Sequence, residues 1–505
     1  MSRFNLIDEK WIPVRFPDGI RNELGIRDTL LQSKEIVAIE YPSPLVVAAL
    51  YRFLLAVLYR ALEGPTDIDQ ARKLFREGIP GNRITDYLEK WRDRFWLFDE
   101  KYPFGQNPNV PMNEIEPWTK LTAEHNATSN KVLFDHTDTK NPGARELKEC
   151  ARWLLSTMTF SISGGRGYFP SPSPNAMICI PLGRNLHETL CYCLVPYSNR
   201  EVMNGDSGLW ERTPKKLPLS IPKQIASGYA DLYTWPSRMI LLDELLSGGV
   251  ATMRFVAGQG FENSSSNPDP MQPYKADKTR GKLPVRFRED RGTWRDFDSL
   301  LPDKTDLAPM TVQNALRLAG NKIDLMPRSV LVLGLRYEPP SANVDFWRME
   351  CFALPEALAG ERQIRAEIRQ ILTDADEVQK SLWSACSSFA RDLLSRGDRK
   401  PASDDIKGFV KQMPVNSWYW SKLEFHFHEI LREYTLEQDY EDIRCRWLKS
   451  VRDTLRAAWD QHRSSVSLGN ALAIRALVKA EGPVWLKLKE LNDEIKNLET
   501  QKEGT

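Results

Sequence analysis

The run Pro44–Leu62 sets the first condition on any fold for this chain. It is long and apolar enough to test as a membrane span. Yet it carries Arg52 near its middle and Arg60 near its end, with Tyr51 and Tyr59 beside them. Charge in mid-span is costly in lipid, so the run reads as a helix buried inside a soluble body. A chain of 505 residues is too long for one core and predicts two or more domains. With 41% hydrophobic and 27% charged residues, it is globular rather than disordered.

Before and after that helix the texture is irregular. Asn5–Val14 reads as a strand, a turn and a second strand, and Arg15-Phe-Pro-Asp-Gly19 carries a hairpin signal. Helices are expected over Asp67–Glu77, stopped by Gly78, over Asp86–Phe95, and from Ala144 to about Thr159. Trp96–Gln106 reads as an aromatic loop with no strand or helix period, its rings plugging a core. Ser329–Leu335 suggests a buried strand, followed by a turn over Arg336–Asn343. Past Pro355 apolar residues recur at helical spacing: Ile364, Ile368, Ile371, Leu372, Val378, Leu382 and Phe389. Trp418–Tyr434, Tyr440–His462 and Ala471–Leu498 repeat the pattern with short breaks. Four such segments predict an antiparallel bundle.

Two stretches carry chemistry. Ser161–Pro174 holds Gly164, Gly165 and Gly167 around Arg166, followed by three prolines. Glycine without Cβ allows positive φ and close backbone approach to a ligand. Arginine adds a fork suited to phosphate or to a base edge. The prolines stiffen the exit and forbid a helix. The second stretch, Gly258–Asp290, gathers Lys275, Lys278, Arg280, Lys282, Arg286 and Arg288 against Asp277 and Glu289. The formal net charge is +1, so any nucleic-acid site must be a local patch such as this one.

Catalytic patterns are scarce. The seven cysteines form no C-x-x-C pair, and their odd number argues against a disulfide framework. No metal or cofactor is therefore expected, and a reducing cytoplasm is the expected location. The N-terminal stretch lacks a signal-peptide pattern. There is no G-x-x-x-x-G-K-[ST], no G-x-G-x-x-G and no H-E-x-x-H, and His428-Glu429 is followed by Ile-Leu-Arg. The chain is expected not to be an enzyme.

Taken in order, several landmarks resemble the CasA family, the large subunit of the type I-E CRISPR surveillance complex, Cascade. They are Asn5-Leu-Ile-Asp-Glu-Lys-Trp-Ile-Pro-Val14, Leu97-Phe-Asp with Pro103-Phe-Gly-Gln106, and Leu133-Phe-Asp-His136. The glycine loop, Asp269-Pro-Met-Gln-Pro-Tyr274, Trp294-Arg-Asp and Phe346-Trp-Arg complete the set. The resemblance implies an α+β fold: a large irregular mixed α/β N-terminal domain, residues 1–360, then a C-terminal four-helix bundle, residues 361–505. It implies binding of double-stranded DNA at a protospacer-adjacent motif, support of R-loop formation and docking of a helicase-nuclease. The implied partners are DNA and the subunits that hold the CRISPR RNA; no membrane is implied.

Residue by residue, Gly164, Gly165, Arg166 and Gly167 fall on the family's glycine loop, which lies in the minor groove. Leu133, Phe134 and Asp135 fall on a loop that anchors the subunit near the guide RNA's 5′ handle. Lys278, Arg280 and Lys282 are candidates for the family's basic finger. The family commonly has a wedge glutamine before Phe-Trp-Arg. Here Glu338-Pro-Pro-Ser-Ala-Asn343 has none, which leaves Pro339, Pro340 or Asn343 as the wedge, or no wedge. Two other classes remain to be weighed: a metal-dependent nuclease, and a scaffold that binds only protein.

Overall fold

The computed structural model describes residues 3–125, 142–164, 167–215, 223–263, 268–303, 305–320, 322–338, 344–360, 364–395, 400–467 and 469–503. Its chain divides into two compact units. The first comprises residues up to Arg291 together with Ser299–Phe352; the second comprises Gly292–Asp298 and everything from Ala353 onward.

At the centre of the first unit runs the helix Pro44–Leu62, with every residue but Arg60 buried. Ser43 caps its start by accepting from the Val46 N–H, and Pro44 occupies the first turn, where no intrahelical N–H is needed. The helices Leu147–Phe160 and Tyr229–Tyr233 pack along it. Tilted and edge-on rings surround Phe53: Trp11 at 5.8 Å, Phe104 at 5.5 Å and Trp210 at 5.7 Å between centroids. Such pairs add about 0.5–1.5 kcal/mol each beyond their burial. Leu97 and Phe104 of the aromatic stretch are buried, as is Phe95 just before it.

Small sheets close the rest of the unit. Ser329–Tyr337 pairs antiparallel with Ile178–Leu182, Ser329 opposite Leu182, and Val344–Ala353 lies on its other side. Arg238–Glu244 pairs with Val250–Ala257, and Ile115–Pro117 completes that sheet.

Several local readings are corrected. Trp96–Phe98 is a strand, paired with Arg3–Asn5; its period is hidden because it is only three residues long. The hairpin signal at Arg15–Gly19 is met: Ile12–Arg15 pairs with Arg21–Leu24 across it. The helix expected over Asp86–Phe95 spans Gly81–Lys90. Its buried residues Ile84 and Leu88 are one turn apart, and the chain then tightens into a single turn at Arg92–Arg94. Cys191 and Cys193 lie on the helix Leu186–Cys193, where burial pushes both thiols up and leaves them poor nucleophiles.

The second unit is helical. Its four long helices, Ile364–Leu394, Val415–Glu433, Tyr440–Ser465 and Gly482–Glu503, form the bundle. Two short ones, Ser403–Gln412 and Ala471–Ala480, join them. The expected continuous Ala471–Leu498 helix is broken where Gly482-Pro483 interrupts the backbone ladder. Indole and phenol donors tie the bundle to its first helix: Trp447 Nε1 donates to the Ile371 carbonyl at 2.8 Å, and the Tyr419 hydroxyl to that of Ala375 at 3.1 Å. Trp294, from the inserted segment, packs against Trp420 and Phe427.

Candidate nucleic-acid interface

The glycine loop leaves the end of the helix Leu147–Phe160 through a pinned neck. Ser161 Oγ donates to the Thr157 carbonyl at 2.6 Å. Ser171 closes the neck, its N–H donating to the Ser161 carbonyl at 2.8 Å and its Oγ to that of Thr159 at 2.6 Å. Inside sits Arg238, only 5% exposed, donating to the carbonyls of Ile162 and Phe169 on the two arms. Burial brings its pKa down to about 10, which still leaves it charged at neutral pH. Tyr168 lies 5.1 Å from that guanidinium and stacks on Phe255.

Gly167 has φ +88°, and a Cβ built there would meet nothing within 4 Å, so backbone conformation rather than space calls for glycine. Gly164 lines a cleft of ≈ 350 Å3 beneath the loop, with Lys120, Phe160, Tyr168, Arg238 and Phe255. Gly165 and Arg166 lie outside the described residues.

The exit of the loop is anchored more firmly. Arg52, from the middle of the central helix, donates to Asp269 at 2.7 Å and to Ser173 Oγ at 3.2 Å. Ser173 Oγ donates to the same carboxylate at 2.6 Å. Gln272 Nε2 donates to Ser173 Oγ at 2.7 Å and to Asp269 at 3.0 Å, and the Met271 N–H reaches the second carboxylate oxygen. The Arg52 guanidinium also faces the Tyr233 ring at 4.6 Å. A buried ion pair needs further hydrogen bonds to offset its desolvation; here the carboxylate is fully engaged, while Arg52 Nε has no hydrogen-bond partner among the described residues. Asn175 binds the Tyr337 backbone through both its amide nitrogen and its oxygen. The loop exit is thereby sewn to the strand that leads toward residues 339–343.

Asp269 and Gln272 also stand at the root of the basic segment. It forms a hairpin, Tyr274–Asp277 against Gly281–Pro284, with Tyr274 opposite Pro284 and Asp277 opposite Gly281. Asp277 accepts from Thr279 Oγ1 at 2.8 Å and from the N–H groups of Thr279 and Arg280, which holds its pKa down to about 2. Gly281, at φ +74°, completes the turn. Lys278 sits in that turn with no ion pair among the described residues. Lys282 Nζ donates to the Asp306 carbonyl at 3.1 Å. Between the loop exit and the hairpin runs a groove of ≈ 470 Å3, lined by Pro172, Asn175, Gln272, Arg280, Lys282 and Arg286 among others.

The structure thus unites the glycine-loop exit, Arg280 and Lys282 on one groove. Leu133, Phe134 and Asp135 lie outside the described residues, as do the wedge candidates Pro339, Pro340 and Asn343. Sequence reasoning missed Arg238, Ser173 and the Arg52–Asp269 pair. Arg52 was the available signal, since a charge inside an apolar helix demands a buried partner.

Fold and site define a class: a two-unit α+β protein that presents a clamped glycine loop and a basic hairpin on one groove. The family described as CRISPR-associated protein Cse1 matches residues 5–458. The CRISPR-associated protein CasA/Cse1 of Thermus thermophilus is 33% identical, over 98% of this chain and 99% of that protein. The crystal structure of CasA from Thermus thermophilus superposes with a TM-score of 0.84 at 30% identity, covering 97% of this chain and 100% of the other. A chain of a CRISPR RNA-guided surveillance complex, 20% identical, shows the same fold with a TM-score of 0.76, covering 96% of this chain and 100% of its own. The chain belongs to the Cse1 family, also called CasA.

Proposed function

We propose that this protein is the non-catalytic DNA-recognition subunit of an RNA-guided Cascade complex. In this reading it binds the protospacer-adjacent motif of double-stranded DNA, promotes R-loop formation and recruits a helicase-nuclease. The observation that carries the reading is the shared anchor: Asp269 receives the glycine-loop exit through Ser173 and stands at the root of the basic hairpin. Two nucleic-acid-facing elements are held in fixed relation by one buried group. A narrow minor groove with a degenerate acceptor pattern calls for a reader with close backbone approach, and Gly164–Gly167 supplies it. Lys278, Arg280 and Lys282 supply phosphate contacts that fix register without reading sequence. Guide pairing supplies the remaining specificity, as in other RNA-guided systems.

The test uses the assembled complex and a motif-bearing duplex. Gly165→Asp with Arg166→Asp should abolish binding of that duplex while leaving assembly intact. The triple change of Lys278, Arg280 and Lys282 to Ala should weaken binding across all sequences and reduce the salt slope by about 2–3. Unchanged affinity in both variants would sink the proposal. Lost assembly with unaltered DNA binding by the free chain would favour a scaffold role instead.

A further inference from the structure

The strand Arg238–Glu244 separates two clefts. Successive strand residues point to opposite faces. Arg238 lines the cleft beneath the glycine loop, and Met239 lines a smaller one of ≈ 70 Å3 on the other side. The proposed function does not use this second cleft.

Three cations converge on it from two segments: Arg94, Arg212 and Lys215. No Asp or Glu is among its lining residues. Arg212 is neutralised behind the wall by Asp231, at 2.6 Å. The other two have no carboxylate partner among the described residues. The Arg94 guanidinium lies 3.4 Å from the centre of the Tyr102 ring, and among the described residues it donates to the Arg212 carbonyl, at 3.3 Å. Lys215 Nζ donates to the Gln259 amide oxygen at 2.9 Å. Burial lowers the Lys215 pKa and the neighbouring Arg212 charge adds to the effect, with Asp231 opposing it in part.

These cations are held in place rather than left to sway. The amides of Asn107 and Asn109 both donate to the Lys215 carbonyl, at 2.9 and 3.3 Å, and Pro103, Pro214 and Pro236 stiffen the walls. Three cations share the single carboxylate of Asp231, and the excess positive charge costs free energy that an incoming anion would return. The chemistry fits a phosphate group. A guanidinium fork and an ammonium point charge are complementary ways of binding phosphate oxygens. The volume accommodates roughly five water-sized atoms, the heavy-atom count of a tetrahedral oxyanion.

We propose that this cleft binds a phosphate group, held by Arg94 and Lys215 with Arg212 completing the rim. The inference is independent of the proposed DNA role, since it uses none of the same side chains.

The full chain, at low salt, is titrated with inorganic phosphate by calorimetry and by 31P line broadening. Saturable binding is expected, weakened about tenfold or more in Lys215→Met and in Arg94→Gln. No saturation up to about 10 mM phosphate, or equal binding in both variants, would overturn the site. Lys215→Met keeps the aliphatic stem, so it reports on charge even if Arg94→Gln disturbs folding. A rise in melting temperature of the unmodified chain with phosphate gives a readout that needs no variant. The source is then separable. A short oligonucleotide that displaces the bound phosphate identifies a nucleic-acid backbone as the natural ligand; an oligonucleotide that fails to displace it identifies a free anion or monoester.

Discussion

Two arginine–aspartate pairs each lend one residue, Asp269 and Arg280, to the same groove and are built in opposite ways. Arg52 and Asp269 meet at 2.7 Å with side chains 2% and 5% exposed. Arg280 and Asp277 stand 3.8 Å apart with side chains 72% and 28% exposed. In the first pair Ser173, Gln272 and the Met271 backbone fill the aspartate's acceptors, and the arginine's two terminal nitrogens reach Ser173 and Asp269 while its buried Nε has no hydrogen-bond partner among the described residues. The second leaves the arginine free to turn toward a ligand, while the aspartate spends its hydrogen bonds on the turn itself. An exposed pair adds little to stability, and a buried one becomes costly when a single partner is lost. The floor of the groove is therefore a matter of stability and its rim, in the proposed function, a matter of binding.

The largest effect should follow from breaking the floor. Asp269→Ala leaves Arg52 charged inside an apolar helix and removes the acceptor shared by Ser173 and Gln272. A loss of about 3–5 kcal/mol is expected in urea unfolding of the full chain. That is a large share of the stability of most domains. Replacing both partners, Arg52→Met with Asp269→Leu, should recover a good part of that loss, because no orphaned charge remains. If Asp269→Ala costs less than about 1 kcal/mol, the contrast between floor and rim collapses.

A smaller loss is expected at the neck of the loop. Arg238 has no carboxylate partner among the described residues; it binds the backbone carbonyls of Ile162, Phe169 and Ser237. Arg238→Met keeps much of the side chain's bulk and removes those donors, at about 1–3 kcal/mol. The more telling readout is limited proteolysis. Cleavage within residues 162–170 should rise well before global unfolding, since the two arms are no longer tied together. Proteolysis unchanged at that loop would show that Ser161 and Ser171 hold the neck unaided.

What was legible in the sequence follows the same division between local and distant. The Pro44–Leu62 helix is found at its expected bounds because both signals, the apolar run and the first-turn proline, are local. The Ile68–Glu77 helix likewise begins after its capping Asp67 and ends at Gly78. The basic segment forms a hairpin because Asp277 and Gly281 are turn residues at turn spacing. The anchor of the site was not readable. Arg52 and Asp269 are 217 positions apart, and nothing periodic links them. Mid-helix charge announces that a partner exists without saying which of 68 acidic residues it is. The Gly292–Asp298 insertion into the helical unit was hidden for the same reason: its Trp294 is defined by the rings it meets, not by its neighbours in the chain. The family resemblance reached the fold class and the family without reaching this pair: Asp269 is among its landmarks and Arg52 is not.

The smallest effect tests the rim itself. The Asp277 carboxylate has a folded-state pKa of about 2 against an ordinary value of 3.8, the cause being the Thr279 hydroxyl and then the two turn N–H groups. A depressed carboxylate stabilises the folded form above the unfolded pKa and loses that contribution as pH falls through the folded one. The turn should therefore hold at pH 4 and loosen as pH falls from there toward about 2. A carboxyl-detected NMR titration should place the Asp277 midpoint near the lower figure, with the Thr279 and Arg280 amide shifts moving in step. Asp277→Asn should shift those amides at neutral pH while leaving the urea midpoint of the full chain almost unchanged, because the turn is solvent-exposed. A midpoint near 4 would mean the aspartate is not committed to the turn. An aspartate titrating there would hold neither the turn nor Arg280, since either engagement depresses its pKa, and the contrast between rim and floor would lose its rim.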